Sequence, residues 1–206
     1  MTTYTTIKAF ASAELIEKRS HFIGYAKPVT TQDEAIAFIN EIKTKHWDAT
    51  HNVYAYVVQG EGISRYSDDN EPQGTAGIPT LDAIRKRGIT DCVVVVTRYF
   101  GGTLLGAGGL VRAYSAAAKA AIDAAGERVM TLCSACAFTC SYTLYGRIPA
   151  LIARFGGTAD ASDFTDEVSI RFHLPCENLA AFNKALSEES SGKVQVQELE
   201  KRFYDQ

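Results

Sequence analysis

Cys92-Val93-Val94-Val95-Val96-Thr97-Arg98-Tyr99-Phe100-Gly101-Gly102-Thr103-Leu104-Leu105-Gly106-Ala107-Gly108-Gly109-Leu110, with the alanine-rich run that continues to Ala125, sets the plan of the first half of the chain. Cys92 to Val96 is an unbroken apolar, mostly β-branched run, the pattern of a strand covered on both faces. Leu110 to Ala125 holds no helix breaker and is rich in alanine, which predicts a helix lying close against a sheet. A strand buried on both sides needs a layer above and a layer below, so the flanking segments must supply them. Upstream, Thr31-Gln32-Asp33-Glu34 has the form of a capping box, in which Thr31 and Glu34 each satisfy a free backbone N–H at a helix start. Ala35, Phe38, Ile39 and Ile42 then follow helical spacing and predict one buried face.

The other elements are shorter. Tyr4 to Val29 reads as two strands with Gly24 as a break. Val53 to Gln59 reads as a strand paired with Ile63 to Tyr66 across Gly60-Glu61-Gly62. Ile78 to Lys86 suits a short helix with Pro79 in its first turn and Gly88 at its end. Composition changes near Met130. Beyond it the predicted order is a strand from Cys136 to Tyr142, a helix over Tyr145 to Phe155, strands over Gly157 to Phe164 and Glu167 to Leu174, a helix over Asn178 to Glu189, and a strand over Lys193 to Lys201. Asp166 marks the central hairpin turn. This βαββαβ order is the ferredoxin-like pattern. The expected class is α+β in two domains, residues 1–131 and 132–206.

Of 206 residues, 46% are hydrophobic, ample for real cores and incompatible with a disordered or fibrous chain. The net charge is -3; residues 1–132 hold 14 Lys/Arg and 14 Asp/Glu, residues 133–206 hold 7 and 10. Neither half is a basic nucleic-acid module, and the acidic second half lacks the Lys/Arg-Gly-Phe signature of the common RNA-binding sheet. Met1-Thr2-Thr3-Tyr4 is not a basic stretch leading into an apolar core, and no apolar run approaches the roughly 18 residues of a membrane span. A cytoplasmic location with no membrane partner is expected. The five cysteines are odd in number and lack disulfide-framework spacing, which predicts reduced thiols. Cys133 and Cys136 have CxxC spacing, but further zinc ligands such as His173 and Cys176 are remote. Cys136, Phe138, Cys140 and Tyr142 alternate as one face of a strand, so the structural reading is preferred, with no metal and no cofactor.

Two loops concentrate the unusual residues. In Arg98 to Tyr114, glycines let backbone N–H groups approach a ligand, a helix start near Gly108 aims its positive end there, and Arg98 and Arg112 add charge. The alternative, weighted equally, is that Gly106, Gly108 and Gly109 only allow the helix to lie near the strands. In Arg65 to Gly77, Asp68, Asp69 and Glu71 have the chemistry of a cation or acid–base site. Pro72 and Gly74 favour instead a turn whose acids cap backbone N–H groups or meet Arg65 and Arg98, a structural or partner-facing loop. His51 has no serine or cysteine companion in a catalytic context, and no catalytic residue is assigned.

Together these loops resemble the signature of the YigZ/IMPACT family. The resemblance rests on His51-Asn52 with Tyr54-Ala55-Tyr56, Arg65 through Asp69 with Glu71-Pro72, Gly74-Thr75-Ala76-Gly77 with Pro79, Thr97 through Gly102, and Gly106 with Gly108 through Tyr114. Lys18, Ser20, Phe22 and Gly24 also match. The sequence departs at Val53, His21 and Leu104, the last standing where lysine is common. The resemblance implies a first domain of the fold shared with a ribosomal small-subunit protein, elongation factor G domain IV and GHMP kinases, a βαβ sandwich. It implies a second domain similar to elongation factor G domain V. It also implies a translation-associated regulatory or binding protein, uncertain as an enzyme and more simply not one, that contacts RNA, the ribosome or a translation factor. The candidate binding residues are His51, Asn52, Arg65, Tyr66, Asp68, Asp69, Glu71, Gly74, Thr75, Arg98, Tyr99, Gly101, Gly102, Gly106, Gly108, Gly109 and Arg112. Two alternatives stand beside this: an enzyme or sensor for a phosphate-bearing small molecule, and a protein-interaction module using Tyr54, Tyr56, Tyr66 and Tyr99.

Overall fold

The computed structural model describes residues 2–205. The chain forms two compact units, one spanning Tyr4–Val129 and one running from Met130 onward together with residues 2 and 3. The first unit opens with three strands, β1 (Thr3–Ile7), β2 (Ala11–Glu17) and β3 (Ser20–Pro28), where two were predicted. Gly24, read as the break, lies inside β3; the chain breaks instead between Ile7 and Ala11 and at the turn Lys18-Arg19, with φ of 45° and 69°, a left-handed pair normally announced by asparagine or glycine. Next comes α1 (Gln32–Lys45), whose cap differs slightly from the sequence expectation. Thr31 Oγ1 accepts from the Glu34 N–H, but the Glu34 carboxylate reaches past Thr31 to the N–H of Thr30, 2.7 Å away.

The remaining elements of this unit are β4 (His51–Val58), β5 (Ile63–Ser67), α2 (Gly77–Arg85), β6 (Cys92–Tyr99) and α3 (Ala107–Ala125). The five-stranded sheet has the order β2-β3-β6-β4-β5, every neighbour antiparallel. The central β6 is covered on both faces, as its composition demands. Val94 and Val96 enter one core with α2 and α3 residues such as Leu81, Ile84, Tyr114 and Ile122; Val93 and Val95 enter another with Phe38, Ile39 and Ile42 of α1. The alanine face of α3 allows close approach: a Cβ on Gly24 of β3 would lie 2.4 Å from the Ala117 carbonyl oxygen.

The second unit follows β7 (Glu127–Cys140), in which the boundary between the units falls, with α4 (Tyr142–Tyr145), α5 (Ile148–Arg154), β8 (Thr158–Phe164), β9 (Val168–Pro175), α6 (Leu179–Ser190) and β10 (Gln197–Asp205). The sheet order β10-β7-β9-β8, all antiparallel, completes the ferredoxin-like βαββαβ arrangement. Phe138, Ile148, Ile152, Phe172, Phe182 and Leu186 form its core, with Cys136 and Cys140 among them. Burial pushes the Cys136 thiol up to about 11. Two elements differ from expectation. The single helix predicted over Tyr145 to Phe155 is two helices separated at Gly146-Arg147. The last strand starts at Gln197 rather than Lys193, because Val194 and Val196 pack on the core from the connecting segment after α6 stops at left-handed Ser191. Among the described residues no helix is long and apolar enough to cross a membrane.

The approach of α3 to β3 leaves no room at Gly24. Gly24→Ala should lower stability by about 1–3 kcal/mol, read as a lower denaturation midpoint, because Ala117 belongs to helix backbone that cannot give way locally.

Candidate functional site

β5 and β6 end where the two signature loops begin, β3 and β4 start at the same edge of the sheet, and there the buried carboxylate of Glu71 draws the loops together. Arg98 Nη1 lies 2.5 Å from Glu71 Oε1, with side-chain exposures of only 6% and 3%. The Tyr114 hydroxyl on α3 donates to the same oxygen at 2.7 Å. Burial first, then the Glu71 charge, hold that phenol protonated far above its ordinary range. Arg98 Nη2 donates to Ser20 Oγ at 3.2 Å, and Ser20 Oγ also accepts the Gly101 N–H. His51 pairs with Arg98 across β4 and β6, and its Nε2 stands 3.7 Å from Glu71 Oε1. Its Nδ1 must be the donor to the Asp69 carbonyl, since a carbonyl only accepts.

The neighbouring acids are equally engaged. Asp68 accepts from the N–H groups of Gly74, Ala76 and Gly77, and so caps α2 from eight or nine residues away where its own N-cap, Ala76, offers no side-chain cap. Asp69, left-handed with Asn70, pairs with Lys43 at 2.8 Å and accepts the Asn52 N–H at 2.7 Å. Asn52 continues the network to Thr97 Oγ1 and to the His46 carbonyl. Thr75 is buried, its hydroxyl on the Pro72 carbonyl. Gly77 is sterically required, because a Cβ there would meet the Tyr66 ring and the Ser67 backbone within 2.9 Å. Among the described residues Arg65 pairs with no acid; it is exposed and bonds the Ser64 carbonyl.

The glycine loop is built differently. Gly101 is wedged against the β2–β3 turn, where an added Cβ would sit 2.0 Å from the Arg19 carbonyl carbon. Gly102 and Gly106 have positive φ, and α3 begins after Gly106 with no side-chain cap. Gly108 is exposed with Arg112 Nη1 3.5 Å from the position of its missing Cβ, Gly109 packs on Leu105, and Leu104 is 83% exposed. The structure thus brings His51, Glu71, Arg98 and Gly101 into one buried cluster and ties Asn52, Asp68 and Asp69 around it. It leaves Arg65, Tyr66, Gly102, Gly106, Gly108 and Arg112 at the surface. Tyr99 joins neither group; it packs with the α1-side core. There its hydroxyl donates to Asp48 and therefore accepts from His46 Nδ1–H at 2.8 Å, which leaves His46 Nε2 to accept from the Tyr25 hydroxyl at 2.6 Å. Ser20, Lys43 and Tyr114 complete these networks and were not candidates from sequence; Ser20 and Tyr114 stand inside the matching motifs, whereas Lys43 reads only as a charge in the last turn of α1.

The arrangement defines a class: an α+β protein of two units whose first unit is organised by loops interlocked on one buried ion pair. Residues 18–122 match the Impact N-terminal domain, and residues 138–193 match a domain of unknown function, DUF1949. The IMPACT family member YvyE of Bacillus subtilis is 34% identical over 98% of this chain and 94% of its own length. The IMPACT family member YigZ of Escherichia coli is 33% identical over 89% and 91%. The rat protein named IMPACT is 34% identical over 46% of this chain and 31% of its own. A crystal structure of a hypothetical protein aligns with a TM-score of 0.63 at 31% identity, covering 97% of this chain and 98% of the other. The chain belongs to the IMPACT family.

Two measurements test this geometry. Glu71→Ala should cost about 3–5 kcal/mol, because it strands a buried guanidinium, and Tyr114→Phe about 1.5–3 kcal/mol, both from denaturant unfolding. Burial lowers the His46 pKa from about 6.5, so the unfolded state binds the proton more readily. Stability is therefore full above that pH and is lost as pH falls through the lower folded value; melting temperatures between pH 8 and 5 should fall less steeply in His46→Gln.

Proposed function

We propose that the chain is a binding protein, not an enzyme, that contacts RNA of the translation machinery through the surface formed by the glycine loop and its neighbours. One observation carries the binding half of this reading. The three acids most suited to acid–base or metal chemistry are spent on internal partners: Asp68 on the α2 amides, Asp69 on Lys43 and the Asn52 N–H, Glu71 on Arg98 and Tyr114. What faces solvent is the frame they hold. The uncapped start of α3 beside Arg112, and the exposed Lys18-Arg19 turn packed on Gly101, put positive potential and free N–H groups on one edge of the unit. Translation enters through the family to which the chain belongs.

Arg98 is the wrong residue with which to test phosphate contact, since its loss would break the buried pair. Co-sedimentation of the full chain with ribosomes over a salt series should instead compare wild type with Lys18→Ala/Arg19→Ala/Arg112→Ala, which alters exposed positions only. Binding that weakens with salt, and a shallower salt dependence in the triple variant, is expected. Binding absent at all salt concentrations, or unchanged in the variant, overturns the RNA reading.

A further inference from the structure

The second unit carries a cleft far from the signature loops in sequence. It has a volume of about 420 Å³ and lies among the end of β7, α4, the β8–β9 turn and the C-terminal end of α6. That size falls within the range of small-molecule sites. Four charged side chains line it, two of each sign: Arg147 and Lys193, Glu167 and Glu189. Ser141 and Thr143 also line it. A second depression of about 370 Å³ shares Leu144, Arg147 and Glu189 with the first and is otherwise lined by Ile148, Ala150 and Leu151, with Gly146 and Arg154. Arg147 and Glu189, paired at 3.2 Å, stand at the junction of the two.

We infer that this double cleft binds a zwitterion bearing an apolar side chain, of the free amino acid or dipeptide class. The lining charges select for it. A simple anion drawn to Arg147 and Lys193 meets Glu167 and Glu189, and a simple cation meets the reverse; a molecule with one carboxylate and one ammonium satisfies both signs at once. The Arg147–Glu189 pair is exposed, with side-chain exposures of 76% and 41%, so exchanging it for a ligand carboxylate on Arg147 and a ligand ammonium on Glu189 costs little. The apolar surface of Leu144 and Ala150, over the buried Ile148 and Leu151, then takes the side chain, which supplies affinity that two exposed charge contacts alone do not. This inference is independent of the RNA reading, which concerns residues of the other unit.

The test is calorimetric titration of the full chain with L-leucine, L-phenylalanine and L-leucyl-L-leucine, using N-acetyl-L-leucine and L-leucinamide as controls that each keep a single charge. Saturable binding of at least one zwitterion at millimolar or tighter affinity is expected, with the matching controls weaker by about tenfold or more. Arg147→Ala and Glu189→Gln should each weaken it by about tenfold or more without changing the melting temperature, while Lys18→Ala/Arg19→Ala/Arg112→Ala leaves it intact. No binding of any zwitterion at millimolar concentration overturns the inference. So does equal binding of the blocked controls, which needs no variant to interpret, or binding indifferent to both substitutions in folded protein.

Discussion

Burying an ion pair strips both charges of water, and hydrogen bonds from the surrounding fold must offset much of that loss. The pair of Glu71 and Arg98 recruits groups from elsewhere in the sequence, the Tyr114 hydroxyl from α3 and Ser20 from the start of β3 as hydrogen-bond partners and His51 from the start of β4 as a neighbour, while the buried Arg98 Nε stays without a hydrogen bond. Five segments distant in sequence therefore share one electrostatic centre. Neither signature loop can open alone without exposing a charge that the other helps to bury. The two loops should behave as one cooperative unit, and their outer residues are held on a preorganised frame.

This explains why the signature contains so many polar residues that face inward. Asp68 replaces the missing side-chain cap of α2, and Asp69 joins α1, β4 and the acidic turn through Lys43 and the Asn52 N–H. Sequence offered two readings of these acids, chemistry or capping. The deciding quantity is geometric: amide nitrogens lie within about 3 Å of Asp68, donors that only folding brings together.

Much of the architecture was legible because it follows from periodicity and composition. The valine run of β6, the apolar spacing of α1, the alanines of α3 and the βαββαβ order of the second unit all carry their own burial pattern. Elements were misplaced where local signals were silent or misleading. Lys18-Arg19 turns without glycine, and Val194 and Val196 alternate like a strand yet pack from a connecting segment. At the site, the resemblance named two loops that the structure brings together, but it did not separate inward from outward residues. Arg98 and Arg112 look alike in sequence; one is 5% exposed and bound to Glu71, the other lies on the surface of α3. Tyr99, adjacent to Arg98, belongs to the opposite face because successive strand residues alternate.

The two-residue turn at Lys18-Arg19 also acts as a ruler. Because Glu17 pairs with Ser20 directly across it, the turn fixes which face of β3 each following residue occupies. Phe22 lies in the core beside Tyr114, and Ile23 in the core beneath α1. A change of one residue in the length of this exposed turn would exchange those faces along the strand and carry Ser20 away from Arg98. Surface turns usually tolerate insertion; this one is as constrained in length as a core residue is in volume.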